Sequence, residues 1–241
     1  METKRTIIIG DIHGCLDEFK ELLGKLKYDK AEDRLILLGD LVDRGPDSVG
    51  VVKYARKLGA ECVMGNHEYK FVKWFRAQGS RMAEFHDSQR FYTQFSEEDI
   101  NYIMNMPTYI KLDNVLVVHA GLKPGIPISA QSKEDLMYLR YTDEQRRFVS
   151  LKKINKLGSK EAAGAHFWTE YWTGPESVVY GHNVHSQEDP LIEEVIPGVM
   201  CYGLDTGCCF GGRLTALVLE TKEIVQVQAK RTYYKSSFEV R

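Results

Sequence analysis

The sequence has no Cys-x-x-Cys pair and no even set of cysteines; the five are Cys15, Cys62, Cys201, Cys208 and Cys209. That pattern argues against a disulfide framework and against a structural zinc site. It points to reducing surroundings and to buried thiols. Cys208 and Cys209 are adjacent, a spacing that seldom bridges without strain. No apolar run approaches the roughly 20 residues that span a bilayer. No basic stretch followed by an apolar segment stands near Met1, so the expected compartment is the cytoplasm. Neither sign of charge dominates: 32 Lys and Arg face 34 Asp and Glu, for a formal net charge of -2. A general nucleic-acid binder is strongly basic, and this chain is not. Internal repeats and low-complexity segments are also lacking. What is present is an ordinary globular composition, 43% hydrophobic over 241 residues, read as one domain over 1–241.

Periodicity supplies the elements. Thr6-Ile7-Ile8-Ile9 reads as a buried strand closed by Gly10, and Cys15 to Leu26 carries Leu16, Phe19, Leu22, Leu23 and Leu26 on one helical face. Strands are expected at 34–38 and 60–64, and helices at 48–58 and 68–78. Strand, helix, strand, helix, strand implies a parallel sheet. The stretch 79–110 is mixed and polar, and is read as a cap insertion with a helix opened by Ser96-Glu97-Glu98-Asp99. Strand character returns at 114–118, 177–180, 199–204, 214–219 and 224–228, the last two forming a hairpin. Lys133 to Arg140 reads as helical. The charged stretch from Thr142 into the 170s (about 142–175) is expected to be a mobile loop. The class is therefore α/β, with a second half that is antiparallel or mixed.

The chemistry sits where the apolar runs end. Gly10-Asp11-Ile12-His13-Gly14, Gly39-Asp40, Gly65-Asn66-His67-Glu68, His119-Ala120-Gly121 and Gly181-His182 each follow such a run. In open α/β sheets, function collects outside the carboxyl ends of the strands. Asp11, His13, Asp40, Asn66, His119 and His182 together supply mixed oxygen and nitrogen donors, enough for two divalent cations. A workable division places Asp11, His13 and Asp40 on one ion, and Asp40, Asn66, His119 and His182 on the other. Asp40 then bridges, and a shared water becomes a hydroxide nucleophile. Manganese is the expected metal, with iron or zinc also suited to the donor set. His67 is placed as general acid, with Asp43 orienting it and holding it charged. Arg44 offers a bidentate fork to phosphate oxygens, and Arg140 is a second clamp.

Gly-Asp-Ile-His-Gly, Gly-Asp-Leu-Val-Asp-Arg-Gly, Gly-Asn-His-Glu and His-Ala-Gly, in that order, resemble the signature of the phosphoprotein phosphatase branch of calcineurin-like metallophosphoesterases. Within it the chain resembles bacterial and phage Ser/Thr phosphatases and symmetrical diadenosine tetraphosphatases. The tail Gly203-Leu204-Asp205-Thr206-Gly207-Cys208 is similar to the second group. The resemblance implies a sandwich of two mixed β-sheets flanked by helices, with the same six metal ligands and the same roles for Asp43, Arg44 and His67.

The expected function is hydrolysis of phosphate monoesters, foremost phosphoserine and phosphothreonine on proteins. The alternative is hydrolysis of dinucleoside tetraphosphates. Asp43 favours the first reading and the 204–208 tail the second. A binding module that has lost catalysis is a third reading, opposed by the complete set of ligands, acid and clamp. The partners expected are a phosphorylated protein or small phosphate ester, or a dinucleoside polyphosphate, with no membrane. His185 is placed at the rim of the site, His86 and His166 at the surface or cap, and Asp205 in a turn or behind the ligands. The aromatic run 167–172 is core packing before it is a base-stacking platform.

Overall fold

The computed structural model describes residues 5–77 and 87–235. The first half runs β1 (Arg5–Ile9), α1 (Leu16–Lys25), β2 (Asp33–Leu37), α2 (Ser48–Leu58), β3 (Glu61–Cys62) and α3 (Asn66–Arg76). It continues through α4 (Glu97–Met104), β4 (Tyr109–Leu112), β5 (Val115–Val118) and α5 (Lys133–Tyr138). The second half holds β6 (Tyr141–Thr142), β7 (Phe148–Val149), α6 (Leu151–Leu157), β8 (His166–Phe167), β9 (Ser177–Tyr180), β10 (Leu191–Ile196), β11 (Val199–Gly203), β12 (Arg213–Val218) and β13 (Glu223–Gln228).

Two five-stranded mixed sheets result, ordered β13-β12-β1-β2-β3 and β10-β11-β9-β5-β4, with a small sheet β7-β6-β8 beside them. In the first, β1, β2 and β3 are parallel, and β12 and β13 close it antiparallel. In the second, β5, β9 and β11 are parallel, flanked by antiparallel β4 and β10. The expected α/β sandwich of mixed sheets is therefore present.

Side chains alternate along each strand, and the alternation explains the layers. Ile8, Ile36, Val117, Val179 and Leu217 meet between the two sheets. Ile7, Ile9, Leu35 and Leu37 turn outward and are covered by Phe19 and Leu22 of α1, Val51 and Val52 of α2, and Phe71 of α3. Trp168, Trp172 and Leu136 cover Leu116, Val118 and Val178 on the far face. Strands buried on both faces read as unbroken apolar runs, which is why β1, β2 and β5 were legible.

Several expectations differ in position. The third helix begins at Asn66, not Glu68, because the Glu68 carboxylate turns back to accept the Gly65 N–H at 3.2 Å. Of the stretch read as a cap, 78–86 lie outside the described residues, and His86 with them. From Tyr92 to Met106 the chain packs into the helix-covered core, through Tyr92, Phe95, Ile103 and Met106, and β4 is an edge of the second sheet. The stretch expected to be a mobile loop carries β6, β7, α6 and β8. Among the described residues no helix is long and apolar enough to cross a membrane.

Asp99 anchors α4. It is fully buried, accepts the Ser96 N–H at 3.1 Å as half of a capping box, and accepts Arg56 Nε of α2 at 3.0 Å. Asp99→Ala removes both and leaves Arg56 without this carboxylate. The expected loss is about 2–3 kcal/mol, read as a lower urea midpoint at unchanged slope.

Candidate metal centre

Six strands deliver the site. Asp11 follows β1, Asp40 follows β2, Asn66 follows β3, His119 follows β5, His182 follows β9 and Asp205 follows β11. These are the three parallel strands of each sheet, so the two sheets present their carboxyl ends to one place. The turns that make this possible are strained. His13, Asp40, Asp43, Arg44 and His182 all hold positive φ, between 45° and 69°. Such angles cost of order 1–3 kcal/mol each outside glycine and cluster at functional sites. Gly39, at φ 87°, lets the Asp40 turn pass the Gly65 backbone, which a Cβ would meet at 2.7 Å. A side chain at Gly181 would collide with the Asp11 carboxylate.

Asp40 lies at the centre. Its Oδ2 is 3.4 Å from His13 Nε2 and 3.8 Å from His67 Nε2, while its Oδ1 is 3.5 Å from His119 Nε2. Two clusters share it: His13, Asp40 and His67, and Asp40, His119 and His182, with ligand atoms within 4.8 Å in each. Asn66 Oδ1 is 3.0 Å from His119 Nε2. Asp11 is absent from both clusters; it stands beside them, accepting the His182 N–H at 3.1 Å. His185 also stays outside, its ring against Phe167 at 4.6 Å.

The residues fit divalent cations on three counts. First, His13 Nδ1 donates to the Val42 carbonyl at 2.8 Å and His119 Nδ1 to the Leu38 carbonyl at 2.7 Å. Both rings thereby keep a lone pair on Nε2, the arrangement that metal-ligating histidines show; on His13 the Arg44 N–H occupies it at 2.7 Å. Burial, reinforced at His13 by Arg44 and at His182 by Arg140, holds both imidazoles well below the usual histidine range, in the neutral form a ligand needs; burial lowers His119 as well. Second, the His119 lone pair faces Asn66 Oδ1, an acceptor against an acceptor that a cation between them reconciles. Third, negative charge is crowded. Burial, then Asp205 and Asp40, push the Asp11 carboxyl well above the usual range. Burial lifts Asp205 to about 6. Burial works against the Asp40 charge too, and the imidazoles around it, His119 first, hold Asp40 below the usual range only as far as they carry charge.

The acid and clamp candidates also converge. His67 Nδ1 and Asp43 Oδ2 are hydrogen-bonded at 2.5 Å, and the His67 backbone N–H donates to Asp40 Oδ1 at 3.0 Å. Arg44 Nη1 lies 2.7 Å from His13 Nε2, and its guanidinium stacks over Phe210 with 5.1 Å to the ring centroid. Arg140 Nη2 donates to the His182 carbonyl at 2.8 Å, and its buried Nε has no partner. Arg44→Lys keeps the charge and loses the planar fork. If Arg44 grips phosphate, kcat/KM falls about 10–100-fold, the equivalent of about 1.5–3 kcal/mol for one charge-assisted hydrogen bond. An unchanged kcat/KM removes it from substrate binding.

Sequence reasoning gave Glu68 no role. It is fully buried and gathers four backbone N–H groups: Asp40 at 2.8 Å and Gly65 at 3.2 Å on Oε2, Leu41 at 2.7 Å and Val42 at 3.2 Å on Oε1. It thus fixes the strained Asp40 turn to the start of α3. Its signal was a glutamate at the third position of a helix entered through Gly65, a capping-box spacing.

The sequence profile of the family described as "Calcineurin-like phosphoesterase" matches residues 4–212. A bis(5'-nucleosyl)-tetraphosphatase PrpE, asymmetrical, from Oceanobacillus iheyensis is 31% identical over 96% of this chain and 95% of its own length. A symmetrical bis(5'-nucleosyl)-tetraphosphatase from Aggregatibacter actinomycetemcomitans is 30% identical over 90% of this chain and 94% of its own. A crystal structure of a provisionally assigned diadenosine tetraphosphatase superposes with a TM-score of 0.77 at 30% identity, covering 95% of each chain. A protein serine/threonine phosphatase from Saccharomyces cerevisiae, at 16% identity and a TM-score of 0.54 over 98% of this chain and 81% of its own, shares the fold alone.

Proposed function

The chain belongs to the calcineurin-like phosphoesterases, and from that premise we propose that it hydrolyses dinucleoside tetraphosphates symmetrically at the candidate centre. One observation carries the choice of substrate: relatives alike over 90–96% of the chain at 30–31% identity are bis(5'-nucleosyl)-tetraphosphatases. Fold alone would support any phosphoester substrate. The phosphoprotein reading, first on sequence grounds, rests on the Asp43–His67 pair, and the likeness to the yeast protein serine/threonine phosphatase reaches no further than fold.

The donor set is that of a dinuclear centre, and manganese is the metal proposed for it. When bound, the cations polarise a phosphoryl oxygen and lower the pKa of a water. In this proposal Asp11, His13 and Asp40 hold one ion, and Asp40, Asn66, His119 and His182 the other. Arg44 and Arg140 align the phosphate chain and offset its charge. His67 delivers a proton from Nε2 to the departing oxygen, with Asp43 fixing the ring through Nδ1. The chain is proposed to do this as a single domain.

The test is product identity from diadenosine tetraphosphate in manganese. Symmetrical cleavage gives two ADP. ATP with AMP would retain the substrate class and overturn the position of the cut. No cleavage by manganese-loaded enzyme overturns the proposal.

A further inference from the structure

One buried polar cluster has no part in the proposed hydrolysis. Cys15, Glu18 and Cys208 each offer a ligand atom, and these atoms lie within 4.8 Å of one another. Cys15 and Glu18 are fully buried and Cys208 is 2% exposed. Cys15 is the N-cap residue of α1 and Glu18 lies in its first turn. Cys208 opens a 3-10 turn, Cys208–Phe210, that follows β11. Glu18 Oε1 accepts the Lys230 N–H at 2.9 Å and the Tyr233 hydroxyl at 2.6 Å. Glu18 Oε2 is buried and has no partner. The segment 229–235 closes over this corner, with the N–H groups of Tyr233 and Tyr234 both donating to the Cys209 carbonyl. A buried carboxylate oxygen left without a donor is unfavourable, and each such atom in a folded protein asks for a reason.

We propose that Cys15, Cys208 and Glu18 form a further cation site for one thiophilic divalent ion of the zinc class, separate from the centre at the strand ends. Zinc takes sulfur at about 2.3 Å and carboxylate oxygen at about 2.0–2.2 Å, which places tetrahedral neighbours about 3.5–3.8 Å apart. Small side-chain movements bring the three donors to that spacing. Binding releases the two thiol protons to solvent. Two thiolates, one carboxylate and a divalent ion leave one net negative charge. It rests at the N-terminus of a ten-residue helix, where the helix dipole favours negative charge and thiolate. The ion gives Glu18 Oε2 its missing partner. It also ties the turn that carries Phe210, on which Arg44 stacks, to the helix that begins three residues after His13. The cysteine spacing argued against structural zinc only because these two thiols lie at opposite ends of the sequence.

The test uses cobalt alone on the full chain. No cysteine stands among the strand-end donors, so a thiolate-to-cobalt charge-transfer band in the near ultraviolet reports this cluster and nothing else. The band is expected in the wild type and in Cys201→Ser, and to be absent from Cys208→Ser. Glu18→Gln is expected to weaken cobalt binding at least tenfold. His119→Ala, which loses a strand-end donor, is expected to keep the band, so failure here and failure of the proposed hydrolysis are told apart. Should Cys208→Ser fold poorly by circular dichroism, Glu18→Gln and His119→Ala still decide. Wild-type protein that shows no band in excess cobalt overturns the proposal, as does a Cys15–Cys208 disulfide in protein purified without reductant.

Discussion

Asp40→Asn is expected to lower kcat/KM at least about a thousandfold, or about 4 kcal/mol of transition-state stabilisation. The expectation follows from position. Asp40 is the one side chain common to both donor clusters, with Oδ2 toward His13 and Oδ1 toward His119 at 3.4 and 3.5 Å. An amide offers one neutral oxygen where the carboxylate offers two charged ones, so bridging is lost while volume is kept. The amide oxygen still accepts the His67 N–H, which keeps the turn in shape. Metal analysis of the purified variant should show less bound manganese than wild type, with an unchanged circular dichroism spectrum. A variant that retains both its metal content and its turnover removes Asp40 from the centre of the account.

The second large effect depends on the leaving group. His67→Asn should slow a phosphothreonine peptide by about 10²–10⁴, the usual contribution of a positioned general acid. The alkoxide that departs from threonine is strongly basic and needs its proton. An aryl phosphate, or a tetraphosphate releasing ADP, departs as a weaker base and should suffer less. His67 is placed for the task, with Nδ1 held by Asp43 and Nε2 3.8 Å from Asp40 Oδ2. Equal losses on all three substrates would mean that His67 serves binding or metal assembly instead of proton delivery.

These two residues were legible because glycine-flanked polar residues interrupt unbroken apolar runs. β1, β2, β5 and β9 are buried on both faces, so the runs are long, and the residue that ends each one stands out. Charge and shortness hid other elements. β10 is an edge strand in which Ile192 is 43% exposed and Glu193 turns inward to accept the Thr169 hydroxyl at 3.0 Å. That inverts the apolar pattern by which a strand is recognised. β6, β7 and β8 are two residues each, too short to show any period, so the stretch read as a loop. Glu68 stands in the Gly65-Asn66-His67-Glu68 motif, but its role is hidden in the sequence because its four partners are backbone N–H groups that leave no trace in side-chain chemistry. Asp205, expected in a turn or behind the ligands, accepts the Gly207 N–H at 3.0 Å within its turn and lies close enough for its charge to act on Asp11, Arg44 and Arg140. The glutamate and thiols under 229–235 were invisible as a group, since only the fold brings Cys15 to Cys208.

Substrate choice is the point at which sequence and comparison diverge most, and it has a direct test. The measurement is kcat/KM in manganese for diadenosine tetraphosphate and for a phosphothreonine peptide, on the same enzyme preparation. A preference of at least about tenfold for the tetraphosphate is expected. A preference of that size for the peptide would contradict it and make protein dephosphorylation the activity of this site.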